Sequence, residues 1–284
     1  MATPNHLAGH LDMRMSDAQF EAIARLIEAK AGIQLPDTKR PLVLGRVQGL
    51  VRRGGYSSFA QWFDVEMRHP SAATISALVD SMTTNHTYFW REPDHFERLR
   101  DEVVPAIAKK RGAHMDLRVW CGAASRGQEP YTIQMMLREA LGSDYPRWTA
   151  GLLATDIDSK ALATCRTGIY PDEDVQRLPA ALRYKYLQRA GPDRWQVVPD
   201  LKRDALFRRL NLMSPSLPFK RPLDVVFLRN VLIYFDTATK EALLRRIHGA
   251  LAPGGWLFVG TSESLQVLDT PFQVAGPGAY RKRP

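Results

Sequence analysis

VWCGAASRGQEPYT, residues 119–132, combines an apolar run, a loop of small residues and the start of a helix. Gly122 and Gly127 let a ligand approach the backbone, and the amide groups at the start of a helix favour an anionic group. Ala124 replaces the second glycine of a G-x-G-x-x-G fingerprint, and no Gly-Lys-Ser/Thr follows as in a phosphate-binding loop. Taken alone, the stretch fits a ligand site and a tight structural turn equally well.

The sequence on both sides of this loop alternates between predicted strands and helices. The spacing predicts strands over residues 116–121, 149–155, 223–228 and 256–259, and helices over residues 94–110, 131–141 and 237–251. This alternation is typical of an α/β fold, in which helices cover both faces of a parallel sheet. The interval 158–211 is too long for a simple connection and contains strand-like runs at 194–198 and 205–208. We therefore predict an inserted antiparallel β-subdomain at about residues 168–210.

The first part of the chain has a helical pattern instead. Ser16 can cap a helix in which Phe20, Ile23 and Ile27 recur at helical spacing, and Gly32 can end it. Further helices are predicted over residues 38–53, 58–67 and 71–82. We interpret residues 1–82 as a helical domain, residues 83–93 as a linker and residues 94–284 as the α/β domain.

Charge and composition exclude several classes of protein. The 284 residues carry a net charge of +9, but residues 38–53 hold five basic and no acidic side chains, and residues 177–221 hold eleven against three. The excess is therefore local and does not indicate a general nucleic-acid surface. Two cysteines are too few for a disulfide framework, and the scattered histidines predict no metal site. We find no apolar stretch of membrane-spanning length and no signal-peptide pattern, so we expect a cytoplasmic protein without membrane insertion.

Polar residues follow two of the predicted strands. Asp156 and Asp158 end the strand after the glycine loop, where an acidic side chain of a nucleotide-binding sheet accepts ribose hydroxyls. Asp158 is better placed to cap the next helix, which leaves Asp156 as the better ligand. Arg229 and Asn230 follow the apolar run 223–228, at the sheet edge where open α/β folds bind ligands.

The segment TTNHTYFWREP, residues 83–93, places four aromatic side chains among Asn, Thr and Arg. Such a segment suits a lid that stacks over a flat or cationic group, but taken alone it is better interpreted as a plain domain linker.

These motifs together resemble the CheR family, the chemotaxis-receptor glutamate methyltransferases that use S-adenosylmethionine. The resemblance rests on TTNHTYFWRE, VWCGAASRGQEPYT, ATDID with the later GIY, and LRNVLIYFD, in this order, and extends to the run 260–264. It implies a class I methyltransferase domain whose last strand is antiparallel, together with a β-subdomain insert and a helical N-terminal domain. The imperfect glycine loop agrees with this, since a sulfonium donor has no pyrophosphate.

The resemblance also implies roles for individual residues. It places the donor against Asn85, Thr87, Arg91, Glu129, Asp156, Asn211, Leu212, Arg229 and Asn230. Of these, Glu129 would meet the methionyl amino group and Asp156 the ribose hydroxyls. Arg91 and Tyr234 would lie nearest the transferring methyl group and are the expected catalytic residues.

The substrate is expected to dock on the N-terminal domain. Lys39, Arg46 and Arg53 are seven residues apart and so share one stripe of the second predicted helix. A charged stripe is most often a solvated face, but the resemblance implies docking on the acidic methylation region of a membrane chemoreceptor. Some relatives bind a receptor C-terminal peptide at the insert. The stretch after residue 192 looks shorter than in those relatives, and Pro199 cannot donate a hydrogen bond to an added strand, so we expect no bound receptor peptide here. We also expect the protein to be a monomer.

Other classes remain to be weighed. A nucleic-acid methyltransferase would account for the basic charge, but the chain lacks the Asn/Asp-Pro-Pro-aromatic run of amino methylation, and neither Cys121 nor Cys165 follows a proline. A nicotinamide-dependent dehydrogenase is disfavoured by Ala124. A non-catalytic module that senses the donor and binds receptors stays open, because binding residues alone do not establish turnover.

Overall fold

The computed structural model describes residues 11–111 and 114–283. The chain divides into two compact units, one up to Thr83 and one from Thr84 onward.

The first unit is helical in its described part, as the sequence predicts. Its helices are α1 (Asp17–Ala31), α2 (Arg40–Arg53), α3 (Phe59–Glu66) and α4 (Ala72–Met82). Ser16 caps α1 in a reciprocal capping box with Gln19, and Gly32 ends the helix in the left-handed region at φ 71°. The predicted second helix is shorter than expected, because Asp37–Lys39 form a separate 3-10 turn before α2.

The second unit alternates helices and strands. Its helices are α5 (Pro93–Arg98), α6 (Val104–Arg111), α7 (Gln128–Leu141), α8 (Ser159–Thr167), α9 (Asp172–Val175), α10 (Ala180–Tyr186), α11 (Pro199–Arg203) and α12 (Thr237–Ala250). Its strands are β1 (Val119–Cys121), β2 (Leu152–Asp156), β3 (Ile169–Pro171), β4 (Leu187–Arg189), β5 (Arg194–Val197), β6 (Ala205–Arg209), β7 (Leu223–Leu228), β8 (Leu251–Val259), β9 (Gln273–Gly276) and β10 (Ala279–Arg281). Short 3-10 turns cover Gly142–Arg147 and Leu232–Tyr234.

The strands form a seven-stranded sheet in the order β6-β2-β1-β7-β8-β10-β9. The first five strands of this order, β6, β2, β1, β7 and β8, run parallel to one another. Strand β10 is antiparallel to both of its neighbours, β8 and β9. The α/β class and the antiparallel end of the sheet are therefore confirmed. Because β1, β2 and β7 run parallel, their carboxyl ends share one edge of the sheet, and α7 and α8 begin after the ends of β1 and β2.

The insert is antiparallel, as predicted, but it is smaller than predicted. Its sheet has the order β3-β5-β4. The run 205–208, which the sequence assigned to the insert, belongs instead to β6, the parallel edge strand that pairs with β2. Ala205 and Phe207 are buried while Leu206 is exposed, and this alternation suits an edge strand of either sheet. The pattern alone could not assign the partner strand.

Two element boundaries also differ from expectation. The predicted helix over 94–110 is interrupted by a π-helical turn at Leu99–Val103 between α5 and α6. The strand predicted over 256–259 begins earlier, because Pro253, Gly254 and Gly255 also lie within β8, whose register against β7 is irregular there. Among the described residues, none of the helices has both the length and the hydropathy that crossing a membrane requires.

Candidate functional site

The glycine loop is held against the sheet by backbone hydrogen bonds. The amide of Gly122 donates to the carbonyl of Phe227 at 2.8 Å, and that of Ala124 donates to Thr155 at 2.9 Å. Gly127 has φ 100°, and a Cβ added there would lie 2.5 Å from the hydroxyl of Tyr170. Only glycine fits this position, because both the backbone angle and the space exclude a side chain.

Asp156 is the last residue of β2 and forms a hydrogen bond with the glycine loop. Its carboxylate accepts hydrogen bonds from the amides of Ser125 at 2.7 Å and Asp158 at 2.9 Å. Burial raises the pKa of Asp156, and these amide donors oppose that rise. Asp158 caps α8 by accepting from Lys160 and Ala161, so the predicted capping role is confirmed.

Asn85 joins the segment before α5 to this loop. Its amide group donates to the second carboxylate oxygen of Asp158 at 2.7 Å, and its carbonyl accepts from the hydroxyl of Ser125 at 3.1 Å. Asn85 and Asp156 therefore share two hydrogen-bond partners, Ser125 and Asp158.

A buried arginine links the other candidate residues. The side chain of Arg229 is fully buried and pairs with Glu129 at 2.9 Å and with Glu92 at 3.2 Å. Its guanidinium also lies 5.0 Å from the centre of the Phe96 ring. Two carboxylates thus compensate one buried cation, and Arg229 would be left as an unpaired buried charge only if both were removed.

The two carboxylates of this network differ in acidity. Burial raises the pKa of Glu129 above its ordinary value, although the charge of Arg229 opposes the rise. Burial also acts to raise the pKa of Glu92, but Arg229 and hydrogen bonds from Asn230 and Thr261 outweigh it and leave the pKa lowered. Glu129 also accepts from the thiol of Cys121 at 3.4 Å.

Arg91 lies in a strained turn. Its neighbours Trp90 and Glu92 have φ angles of 65° and 56°, in the left-handed region that such residues rarely adopt. The carbonyl of Arg91 accepts a hydrogen bond from Arg229. Its guanidinium donates to the carbonyl of His86 at 3.1 Å. Arg229 thus fixes the backbone of Arg91, and the carbonyl of His86 fixes its side chain.

Two acidic residues important to this site were not among the sequence-predicted ligands. Glu92 is one of them. The other is Glu263, buried, which accepts from the amides of Asn230 at 2.6 Å and Gly260 at 2.7 Å. Asn230 has φ 57°, so the carboxylate of Glu263 stabilises a strained position just after β7. The glutamate in the run 260–264 was a usable signal for Glu263.

The remaining candidates are placed as follows. Asn211 accepts from the amide of Met213 at 2.9 Å, and Leu212 is buried in the core beside α12. Thr87 is half-buried in the segment before α5. Tyr234 is half-buried at the end of its 3-10 turn, and its hydroxyl has no hydrogen-bond partner among the described residues.

The basic stripe of the first unit is not uniform. Lys39 and Arg53 are exposed, but the guanidinium of Arg46 donates to the carbonyl of Met82 at 2.5 Å and joins α2 to α4. Lys39 lies in the 3-10 turn and not in α2, which shortens the predicted helical stripe.

These residues fit a donor that has hydroxyl, ammonium and sulfonium groups but no phosphate. Asp156 and Glu129 present carboxylates, which accept hydrogen bonds from hydroxyl and ammonium donors. At Gly122 an added Cβ would lie 2.9 Å from the side chain of Leu228, so this part of the loop leaves no space for a larger residue. The helix that follows begins with Gln128 and Glu129 and lacks the lysine of a phosphate-binding loop.

Comparison with known proteins agrees with this site. The family described as "CheR methyltransferase, SAM binding domain" matches residues 85–280, and "CheR methyltransferase, all-alpha domain" matches residues 18–83. The chain belongs to the CheR methyltransferase family. The family thereby confirms the resemblance drawn from the motifs, and with it S-adenosylmethionine as the cofactor and the class I methyltransferase fold.

Curated relatives match over nearly their full lengths. A chemotaxis protein methyltransferase of Escherichia coli is 36% identical over 271 residues, 94% of this chain and 92% of that protein. A chemotaxis protein methyltransferase of Borreliella burgdorferi is 31% identical over 275 residues, which are 96% of this chain and 97% of that protein. A chemotaxis protein methyltransferase of Pseudomonas putida is 34% identical over 265 residues, 92% and 96%.

Proposed function

We propose that this CheR-family methyltransferase esterifies glutamate side chains in the cytoplasmic domain of a chemoreceptor, giving glutamate methyl ester and S-adenosylhomocysteine. The observation that carries the proposal is the Arg91 side chain, presented by a strained turn that the buried pair of Glu92 and Arg229 holds. A guanidinium at this place suits a carboxylate substrate, which it binds through charge-assisted hydrogen bonds. The names of the curated relatives support chemotaxis as the setting.

The donor would be held by carboxylates and by the segment before α5. Asp156 would accept the ribose hydroxyls, Glu129 the methionyl ammonium group, and Asn85 and Thr87 would cover the donor. Asn211 and Leu212 would lie along the adenine, while Arg229 and Asn230 would line the site. When bound, S-adenosylmethionine supplies a methyl group on a sulfonium, and transfer to a carboxylate oxygen leaves a neutral thioether.

The chain's own residues contribute alignment and exclusion of water. A glutamate is already ionised at neutral pH, so the reaction needs no general base and no protein nucleophile. Arg91 would hold the carboxylate, and the hydroxyl of Tyr234 would donate a hydrogen bond near the reacting centre. Fixed orientation is the main source of rate in such a transfer.

The first unit would supply receptor docking through Lys39, Arg46 and Arg53, which complement an acidic helical bundle. We further propose a cytoplasmic monomer that inserts into no membrane, binds no nucleic acid and uses no receptor C-terminal peptide. Calorimetry with such a peptide tests the last point, and tight binding would contradict it.

The decisive experiment uses labelled donor with receptor-containing membranes, and with DNA in a parallel reaction. Methyl esters hydrolyse in mild alkali, so we expect base-labile label on the receptor and none on DNA. Asp156→Ala serves as the control that loses donor binding. Label that survives alkali would contradict ester formation, and donor binding without any transfer would favour the non-catalytic module.

A further inference from the structure

The ring of Tyr88 contacts two guanidinium groups. The guanidinium carbon of Arg177 is 4.1 Å from the ring centre, and that of Arg91 is 5.8 Å from the same centre. The two cations are therefore less than 10 Å apart. Arg177 lies in the turn after α9, so this contact joins the insert to the segment that carries Arg91.

Charge compensation in this cluster is incomplete. Arg177 is exposed, and no carboxylate of the described residues lies within ion-pair distance of it. The nearest carboxylate to Arg91 is that of Glu92 at 3.9 Å, which already pairs with Arg229. Two like charges at this separation repel each other, and Tyr88 offsets part of this repulsion through cation–π attraction to both.

We infer that Arg177 is a substrate-binding residue, which binds a second carboxylate of the methylated protein beside the one that Arg91 orients. The inference rests on the proposed function. On a substrate helix, side chains three or four residues apart are neighbours, with Cβ atoms about 5–6 Å apart. Two acidic side chains of one helix turn can therefore reach two guanidinium groups less than 10 Å apart.

Tyr88 is the positioning residue of this pair. Its ring holds the flexible Arg177 side chain near Arg91 before the substrate arrives, which reduces the entropy lost on binding. Tyr88→Phe keeps the ring and its contact with Arg177, whereas Tyr88→Ala removes both. The pair predicts a preference for target glutamates that have another acidic residue within one helix turn.

The test measures receptor methylation by Arg177→Gln at low and high salt. We expect KM for the receptor to rise about 3- to 10-fold at low salt, while kcat and the donor Kd stay near wild type. The rise should shrink as salt increases, because screening already weakens the contact in wild type. Arg194→Gln is the matched control, since Arg194 is an exposed arginine of the same insert without a described partner.

A receptor variant completes the test. Replacing the acidic residues within one turn of a methylated glutamate by glutamine should raise KM for the wild-type enzyme. It should add little to the effect of Arg177→Gln, because both changes remove the same contact. Tyr88→Ala should reproduce part of the rise in KM, and Tyr88→Phe should restore the wild-type value.

The outcomes separate this inference from the proposed function. Suppose that wild type forms base-labile esters. The assignment of Arg177 is then wrong if Arg177→Gln has the same KM as Arg194→Gln, or if the effect of Arg177→Gln adds fully to that of the receptor variant. If wild type forms no ester at all, the proposed function fails first. Donor binding by each variant, measured by calorimetry, shows that the fold is retained.

Discussion

Replacing Glu92 by glutamine removes one charge from the network of Glu92, Arg229 and Glu129 while keeping the side-chain shape. Removing one partner of a fully buried ion pair costs about 3–5 kcal/mol. Glu92 is 17% exposed and Arg229 keeps Glu129 at 2.9 Å, so the cost is reduced. We expect the free energy of unfolding to fall by about 1–3 kcal/mol at neutral pH.

The assay is denaturant unfolding followed by circular dichroism, with Glu97→Gln as the matched control. Glu97 is an exposed residue of α5 without a hydrogen-bond or ion-pair partner among the described residues, so its replacement should change stability by less than about 0.5 kcal/mol. The double variant Glu92→Gln with Glu129→Gln leaves buried Arg229 without a carboxylate partner. Its loss should exceed the sum of the single losses by about 0.5–3 kcal/mol.

The pH dependence follows from the lowered pKa of Glu92. A carboxylate whose folded pKa lies below its unfolded value stabilises the fold above the unfolded value, and this contribution disappears as the pH falls through the folded pKa. The difference between wild type and Glu92→Gln should therefore be full at neutral pH and shrink below the ordinary value of 4.5. Equal stability of the two proteins at pH 7, or additive single effects, would refute the role given to this network.

Four further substitutions test the donor site and the basic residues of the first unit. Asp156→Ala should abolish donor binding in calorimetry while the chain stays folded, and retained affinity would exclude Asp156 as the ribose ligand. Because burial raises the pKa of Glu129, donor affinity should fall as the pH drops through that raised pKa, and Glu129→Gln should lower affinity and weaken this dependence, leaving the part due to Asp156. Arg53→Glu should weaken binding to receptor membranes most at low salt, and a salt-independent Kd would contradict docking by charge. Arg46→Glu should also lower the stability of the first unit, because it loses the hydrogen bond to Met82, so thermal unfolding separates the two arginines.

Strands that are buried on both faces could be predicted from the sequence. The apolar run 223–228 has the bounds of β7, because continuous burial leaves a continuous apolar pattern. Strand β6 could be recognised as a strand but was placed in the wrong sheet. Its alternating burial is the same for a parallel and an antiparallel neighbour, so only long-range pairing with β2 decides its place.

The same distinction holds for the site. Asp156, Arg229 and Asn230 follow predicted strands, and their position at the sheet edge was recognisable from the pattern alone. The role of Glu92 could not be predicted from the sequence, because an acidic residue before the proline of α5 is common at the start of a helix. Its partner Arg229 is 137 positions away in the sequence, and no local pattern reports an ion pair at that separation.

The contact between Gly127 and Tyr170 limits how far the insert can be exchanged as a module. The hydroxyl of Tyr170, on β3 of the insert, donates to the carbonyl of Arg126 at 2.8 Å, directly beside the glycine. Trp195 and Val197 of the insert belong to the same buried core as the parallel sheet. A transplanted insert that lacked Tyr170 would therefore leave the glycine loop unsupported, and evolution can vary the outer edge of this subdomain more freely than the strand that faces the loop.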